Sequence, residues 1–599
     1  MNAFFIGDKI KAFSSPRFVS YLSLCLFLRR CPILSSIMTS TLPYEVKPLG
    51  MLFFLSDAEK RAMRIGRERS LGDLGKTFPD RVLATLLEHV DDAKTLMNFS
   101  LASKMCFQFA SFDSLWKKLY LTKFGLEKAD FSEKTSWKEL YLGEVKGAET
   151  KMNTVGCLYS DALYLPNQIN GIEINERWIE RFTVPEIDCS GMAETSTSDS
   201  IARTFCEEFE KNNLPVVLRG LAKEWKAIKK WETNETLLKE YGEETFLVGG
   251  YRTSLKNYIS YCLRENNMDD NKLLLFDPKA KMEMWTENTG VSEGLFHELF
   301  SKNGDYFKVL GEQKRPHYKW VIFGPSRSGS TFHVDPNGTS AWNAVIRGRK
   351  KWIMFPPDEV PPGVFPSEDN ANVVCPLTPL EWYENFYDTC YGNKFDEDDN
   401  DDGETNAYHF QETICEAGDV LFVPSQWWHC VVNLPSAPPT DEGAEGEDQD
   451  KNVHLALTAN FVSRSNLPTV LSILDTKNST NLVSGYDDKT QRHSLGEAFE
   501  ERMRELHPEI LREAREKTRA NTSPLRPDRA SPGTSVGEKD KNVARPPPPP
   551  VRPRRRPTKK PRVASSALRE DASEVHAASP FSPSSSSFSF GFFGDGRRF

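Results

Sequence analysis

No two cysteines in this chain form a Cys-x-x-Cys pair, and the 11 cysteines are scattered and odd in number. That argues against a disulfide framework and a structural zinc cluster, and a reducing compartment is the simpler setting. Long apolar runs are also missing. The most apolar early stretch, Phe18–Leu28, is too short to span a bilayer. Arg29-Arg30 follow it, and Asp8 is the only acid before Glu45. The segment therefore fits a signal h-region, a transit peptide or an upstream extension with Met38 as the working start. No repeat period is evident. Histidine is sparse, with ten among 599 residues.

A chain of 599 residues with 39% hydrophobic residues predicts two or three domains with real cores. The net charge of −9 averages unlike parts. Residues 541–563 carry nine Lys/Arg and no acid, whereas Asp396–Asp402 and Asp441–Asp450 are acidic runs expected to be solvated loops. Residues 1–68 offer no firm domain and read as a poorly ordered segment. Over 69–122 apolar residues recur at three- and four-residue steps (Leu74, Val82-Leu83, Leu86-Leu87, Leu96, Leu115-Trp116), which predicts a bundle of short helices. Pro79-Asp80 suits a helix start. Residues 123–174 read as a connector. From 175 to 465 strand and helix signals mix. Leu214–Leu218, Tyr318–Phe323, Ala341–Ile346, Trp352–Phe355 and Val420–Val423 are predicted strands, with a hairpin expected at Gly348. Residues 466–520 return to helix, with Leu495, Phe499, Met503, Leu506, Ile510 and Leu511 at helical steps. Residues 521–599 are Pro-, Ser- and Arg-rich and read as a disordered basic tail.

Two histidines stand apart. His333 lies in Thr331-Phe332-His333-Val334-Asp335-Pro336, and His429 follows Val423-Pro424-Ser425-Gln426-Trp427-Trp428. In an extended segment residues two apart share a face, so His333 and Asp335 point the same way. A His-x-Asp pair with a second, distant His is the sequence form of the two-His, one-carboxylate triad that holds Fe(II) with coordination positions open. A tight Trp-Trp turn is expected to deliver His429. His409 and His454 lack a ligand-like context.

Gly324–Asn343, containing Ser330, His333, Asp335 and Asn343, resembles the JmjC oxygenases, and among them the arginine demethylase/lysyl hydroxylase type once called the phosphatidylserine receptor. The likeness continues through Gly348-Arg349-Lys350-Lys351-Trp352, Val423–His429 and Thr458-Ala459-Asn460-Phe461, and covers roughly 175–515. It implies a double-stranded β-helix (jelly-roll or cupin) with flanking helices, in an α+β multidomain chain. It implies Fe(II), 2-oxoglutarate and O₂, with His333, Asp335 and His429 as metal ligands. Lys350 would hold the far carboxylate of 2-oxoglutarate. Ser330 would hydrogen-bond that carboxylate, and Asn343, Thr458 and Asn460 would line its pocket. Strand parity lets only one of Lys350 and Lys351 face the pocket. Leu274 stands where the family carries a tyrosine, which removes one hydroxyl contact worth about 0.5–1.5 kcal/mol. Residues 71–121 resemble an F-box.

The expected function is an Fe(II)/2-oxoglutarate-dependent dioxygenase that hydroxylates lysine or demethylates arginine or lysine side chains of nuclear proteins such as histones or splicing factors. The alternative is a substrate adaptor of an SCF-type ubiquitin ligase, meeting the SCF adaptor through 71–121. A cupin that binds without catalysis is a third reading. Arg552–Arg562 resembles a nuclear-import signal and suits nonspecific nucleic-acid contact.

Overall fold

Eight strands between Lys319 and Phe461 form two facing antiparallel layers, and, outside register shifts near Val345–Arg347 and His429–Val431, the alternation of their side chains assigns residues to the space between the layers or to an outer face. In the computed structural model the described residues are 46–47, 49–131, 136–146, 158–164, 172–189, 195–264, 269, 271–279, 284, 287–291, 294–302, 305–367, 373–375, 377–391, 408–435, 452–475, 483–486 and 489–522. The apolar stretch Phe18–Leu28, both acidic runs and the basic tail lie outside them.

We number the sheet strands β1 Glu186–Asp188, β2 Val216–Arg219, β3 Thr245–Val248, β4 Tyr251–Ser254, β5 Leu275–Asp277, β6 Lys319–Pro325 and β7 Gly329–His333. Then come β8 Ser340–Arg347, β9 Arg349–Phe355, β10 Gln411–Glu416, β11 Val420–Val423, β12 Trp428–Leu434 and β13 Val453–Phe461. The large sheet has nine strands in the order β1-β2-β11-β8-β13-β6-β5-β3-β4; the small sheet has four, β10-β9-β12-β7. From β6 onward the chain changes sheet at every connection except β9 to β10.

That alternation overturns the hairpin expected at Gly348. Strand β8 pairs with β11 and β13, whereas β9 pairs with β10 and β12. Gly348 is the corner where the chain leaves one sheet for the other. Its φ is +85°, and a Cβ there would meet His454 Nδ1 at 2.0 Å, so both backbone and space require glycine.

Three apolar layers follow from strand parity. Ala341, Val345, Trp352, Met354, Val423 and Val431 pack between the sheets. Trp342, Ala344, Leu455 and Leu457 face outward onto helices that cover the large sheet. Phe332, Ile353, Phe355 and Val432 face outward onto the helix Pro379–Cys390, where Trp382 meets Phe332 with ring centroids 4.7 Å apart.

The N-terminal part is helical: Asp57–Leu71, Asp73–Thr77, Asp80–Glu88, Ala93–Ser100, Lys104–Ala110, Asp113–Phe124 and Trp137–Lys146. Ser56 and Glu59 form a capping box on the first, Pro79 sits at the N-cap of the third, and Asp92 and Ser103 cap the next two with side-chain oxygens. These helices share one apolar core with the large sheet. A buried carboxylate ties them to it. Asp269 accepts from Lys117 Nζ at 3.0 Å, Trp137 Nε1 at 2.7 Å and the Tyr261 hydroxyl at 2.6 Å. The first two donors belong to the N-terminal helices and the third to the helix Leu255–Leu263.

At the other end Leu495, Phe499, Met503 and Leu511 are buried against Phe307 and Val470, whereas Leu506 is half exposed. The helix breaks at His507-Pro508, so Leu506 ends one helix and leaves the apolar stripe. No helix among the described residues is long and apolar enough to cross a membrane.

Candidate active site

The site is built by register. Strands β7 and β12 pair antiparallel with His333 directly opposite His429, and their ring centroids lie 4.1 Å apart. His429 is the second residue of β12 rather than part of a Trp-Trp turn. The turn lies earlier, at Ser425-Gln426, where Gln426 has φ +66°. Trp428 already belongs to the strand and packs outward, and Trp427 donates its indole N–H to Asn213 O at 2.8 Å. Asp335 follows β7 in extended conformation (φ −65°, ψ 144°), so it keeps the face of His333, and Pro336 ends the segment.

One ligand atom each from His333, Asp335 and His429 falls within 4.8 Å of the others. The imidazole Nδ1–H of His333 donates to Thr331 O at 2.7 Å, and that of His429 donates to Trp427 O at 3.0 Å. A carbonyl only accepts, so each Nδ1 carries a proton; in a neutral ring that leaves the lone pair on Nε2, the tautomer a metal ligand needs. Burial, reinforced by His429, holds the His333 pKa well below its ordinary value, so the ring is neutral near pH 7. Burial raises the Asp335 carboxyl, against the influence of His429 and Asn460, and its buried Oδ2 has no hydrogen-bond partner among the described residues. A desolvated carboxylate oxygen beside two imidazole lone pairs fits a divalent cation, which would supply the missing charge.

A pocket opens between the sheets beside these three residues. All eight residues singled out in the sequence line it: Ser330, His333, Asp335, Asn343, Lys350, His429, Thr458 and Asn460. Asn343 and Thr458 face each other in register across β8 and β13. The Thr458 hydroxyl donates to Trp342 O at 2.7 Å, and Asn460 Nδ2 donates to Thr339 Oγ1 at 2.8 Å. Asn343 Oδ1 is buried with no hydrogen-bond partner among the described residues. Ser330 is half-buried opposite Val431. Leu274 lines the pocket too, in an apolar wall with Phe276, Trp320 and Ile322.

Lys350 is 3% exposed, and its Nζ donates to Asn433 Oδ1 at 2.7 Å. Burial lowers its pKa to about 8. Lys351 points to the opposite face and pairs with Glu412 at 2.7 Å, so parity places Lys350 alone in the pocket. Lys350 stands opposite Asn433, four residues along β12 from His429, or about 13 Å at 3.3 Å per residue. The register thus sets three groups that could hold a metal ion toward one end of the lining and a desolvated cation toward the other. Such a cavity can take a short diacid.

Asn433 is the residue that motif reasoning missed. Its signal was present: a lone amide in the apolar strand Trp428–Leu434, in phase with His429. His454 is buried away from the triad, with Nε2 3.0 Å from Ser326 Oγ, and His409 is 89% exposed beside Glu359. Neither joins the metal-ligating set.

Comparison with known proteins gives a family. Residues 202–466 match the cupin-like domain model. The chain is 34% identical over 481 residues to the arginine-specific demethylase JMJ22 of Arabidopsis thaliana, an alignment covering 79% of this chain and 83% of that protein. It is 30% identical over 322 residues to the bifunctional arginine demethylase and lysyl-hydroxylase psr-1 of Caenorhabditis elegans, covering 51% of this chain and 66% of that one. It is 34% identical over 118 residues to the 2-oxoglutarate and iron-dependent oxygenase JMJD4 of Danio rerio, covering 20% and 24%.

Proposed function

The chain belongs to the cupin-like JmjC oxygenases, iron- and 2-oxoglutarate-dependent enzymes, and on that premise we propose that it oxidises arginine or lysine side chains of other proteins. The observation that carries the reading is the pocket's two-ended chemistry: three convergent metal-ligating groups and one desolvated ammonium between the same two sheets. We read the eight strands as a double-stranded β-helix, whose interior is that pocket.

His333, Asp335 and His429 would hold the iron. Bound there, iron, 2-oxoglutarate and O₂ together supply an oxidant strong enough to take hydrogen from an unactivated C–H bond. The chain's own residues do the rest. Thr331 O and Trp427 O fix both imidazoles in the ligating tautomer. Lys350 would bind the far carboxylate of the cosubstrate, with Ser330 and Asn343 offering polar atoms along it. Trp320, Ile322, Trp352 and Val431 exclude water from the cavity. The names of the relatives motivate arginine or lysine side chains as substrates. Hydroxylation and N-demethylation begin with the same hydrogen abstraction and differ in which carbon is presented. Nuclear substrates, such as histones or splicing factors, are proposed on the basic stretch Arg552–Arg562. The test is succinate formation coupled to a mass shift on arginine- and lysine-containing peptides. No 2-oxoglutarate turnover with iron bound, on any such peptide, would reject it.

A second reading is kept for the N-terminal helices because they leave apolar side chains at the surface. Leu101 is 82% exposed and Leu86 47%, with Leu74 and Val82 also exposed. Exposed apolar side chains of this kind suit docking of the SCF adaptor through 71–121. Failure of the full-length protein to co-purify with that adaptor would remove this reading.

A further inference from the structure

The polar group that faces Lys350 is an amide where a carboxylate would be the commoner partner for a buried ammonium. The amide is not free to turn. Asn433 Nδ2 donates to Ser328 Oγ at 3.0 Å and to Pro325 O at 3.4 Å. Ser328 Oγ in turn donates to Pro325 O at 2.6 Å, and the backbones of Ser328 and Asn433 are joined by Asn433 N–H to Ser328 O at 2.8 Å. With both acceptors on the Nδ2 side, Oδ1 is left toward Lys350. Gly324 makes the arrangement fit. A Cβ there would come within 2.5 Å of Ser328 Oγ and 2.8 Å of Asn433 Nδ2.

An amide oxygen can hold an ammonium in place without cancelling its charge. The neighbouring lysine shows the contrast, since Lys351 meets the carboxylate of Glu412. Among the described residues, the titratable groups coupled to Lys350 are the Cys415 thiol on the paired strand β10 and the His454 imidazole on β13. Burial pushes the thiol up and the imidazole well down, so both are neutral near pH 7. Lys350 makes no ion pair among the described residues and has two further N–H donors.

We propose that Asn433, locked by Ser328, is a positioning residue that keeps Lys350 aimed into the pocket with its charge uncancelled, and that this uncancelled charge makes the far end of the cavity selective for a carboxylate ligand. The proposal rests on the reading that Lys350 meets the cosubstrate, so the experiment separates the two. The binding of 2-oxoglutarate is titrated calorimetrically in the full-length protein loaded with Co(II), whose absorption reports an intact triad in every variant. Asn433→Asp keeps shape and acceptor but adds the cancelling charge; Asn433→Leu keeps shape and removes the acceptor; Ser328→Ala frees the amide to turn.

Asn433→Asp is expected to weaken 2-oxoglutarate binding about ten- to a hundredfold, the worth of a hydrogen bond to a charged group. It is also expected to move the alkaline loss of binding to higher pH, because the added carboxylate retains the Lys350 proton. Ser328→Ala is expected to weaken binding by a smaller factor with no such shift. Wild-type affinity and an unmoved pH limb in Asn433→Asp, with the Co(II) spectrum intact, would overturn the proposal. If that variant does not take up Co(II), unchanged affinity in Ser328→Ala overturns it instead. Lys350→Met is the separate arm: undiminished binding there rejects the role of Lys350 itself.

Discussion

Lys350 and Lys351 are adjacent in the chain and meet opposite surroundings, the first the neutral amide of Asn433 at 2.7 Å, the second the carboxylate of Glu412 at 2.7 Å. One strand thus carries an uncompensated charge toward the pocket and a compensated one toward the outer layer, where Tyr387 and Tyr391 also donate to Glu412.

The pair gives a prediction of opposite signs. Lys350 has a folded pKa of about 8, below its ordinary 10.5. Below pH 8 the fold bears the full cost of burying the charge, on the order of 3 kcal/mol from the size of the shift. Between pH 8 and 10.5 the unfolded chain holds the proton more tightly, so this site's contribution to stability rises with pH. Lys350→Met is therefore expected to raise the metal-free melting temperature at pH 7 while 2-oxoglutarate binding is lost. Lys351→Met strands Glu412 and is expected to cost about 3–5 kcal/mol. Thermal melts of the two variants at pH 7 and pH 9 check both signs.

Asp335 carries an unpartnered buried oxygen and a raised carboxyl pKa. Asp335→Asn is expected to leave metal-free stability equal or higher. The rise in melting temperature that Fe(II) or Co(II) gives the wild type is expected to disappear, since a ligand stabilises only in proportion to its binding. Melts with and without metal, in an oxygen-free buffer, measure this.

Asp269 holds the N-terminal helices to the catalytic part through Lys117, Trp137 and Tyr261. Burial opposes its ionisation, but Lys117 and the Tyr261 hydrogen bond outweigh that and keep its pKa below the ordinary value. Asp269→Ala leaves the Lys117 ammonium without its carboxylate, with only Asn271 O still accepting from it, and is expected to destabilise by about 3–5 kcal/mol. Because the Tyr261 hydroxyl also receives the N–H of Leu273, one residue before the pocket wall, weaker 2-oxoglutarate binding is expected alongside. Denaturant melts and binding titrations read the two effects separately.

Gly348→Ala tests the corner between the sheets. A left-handed residue with a side chain costs about 1–2 kcal/mol, and the Cβ also meets His454 Nδ1 at 2.0 Å, so the loss is expected to exceed that figure. Gly125→Ala is the comparison without a clash: at φ +77°, ψ 166° the added carbon meets nothing within 4 Å, so only backbone strain opposes it. Denaturant midpoints of both variants give the comparison.

Much of the site was legible because it is written at short range. His333-x-Asp335 encodes a shared face, and the phase of β12 places His429 and Asn433 on one side. What was not legible depends on pairing. The hairpin expected at Gly348 failed because a corner and a hairpin share the same glycine signal, and only the partners of β8 and β9 tell them apart. Parity left Lys350 and Lys351 as alternatives, which the position of Glu412, some sixty residues on, decides. The Asp269 clamp joins residues 132 and 152 positions apart without any local periodicity. Leu506 follows the helical step in sequence yet is half exposed, because one helix ends at it and a new one begins at Pro508, so the step does not run through.

The measurement closest to the central claim is Fe(II) stoichiometry with 2-oxoglutarate affinity, taken anaerobically on the wild type, His429→Ala and Lys350→Met. The expected result is one iron per chain in the wild type and in Lys350→Met, none in His429→Ala, and 2-oxoglutarate binding that needs both iron and Lys350. Iron retained at full stoichiometry in His429→Ala, or 2-oxoglutarate binding indifferent to both changes, would contradict it.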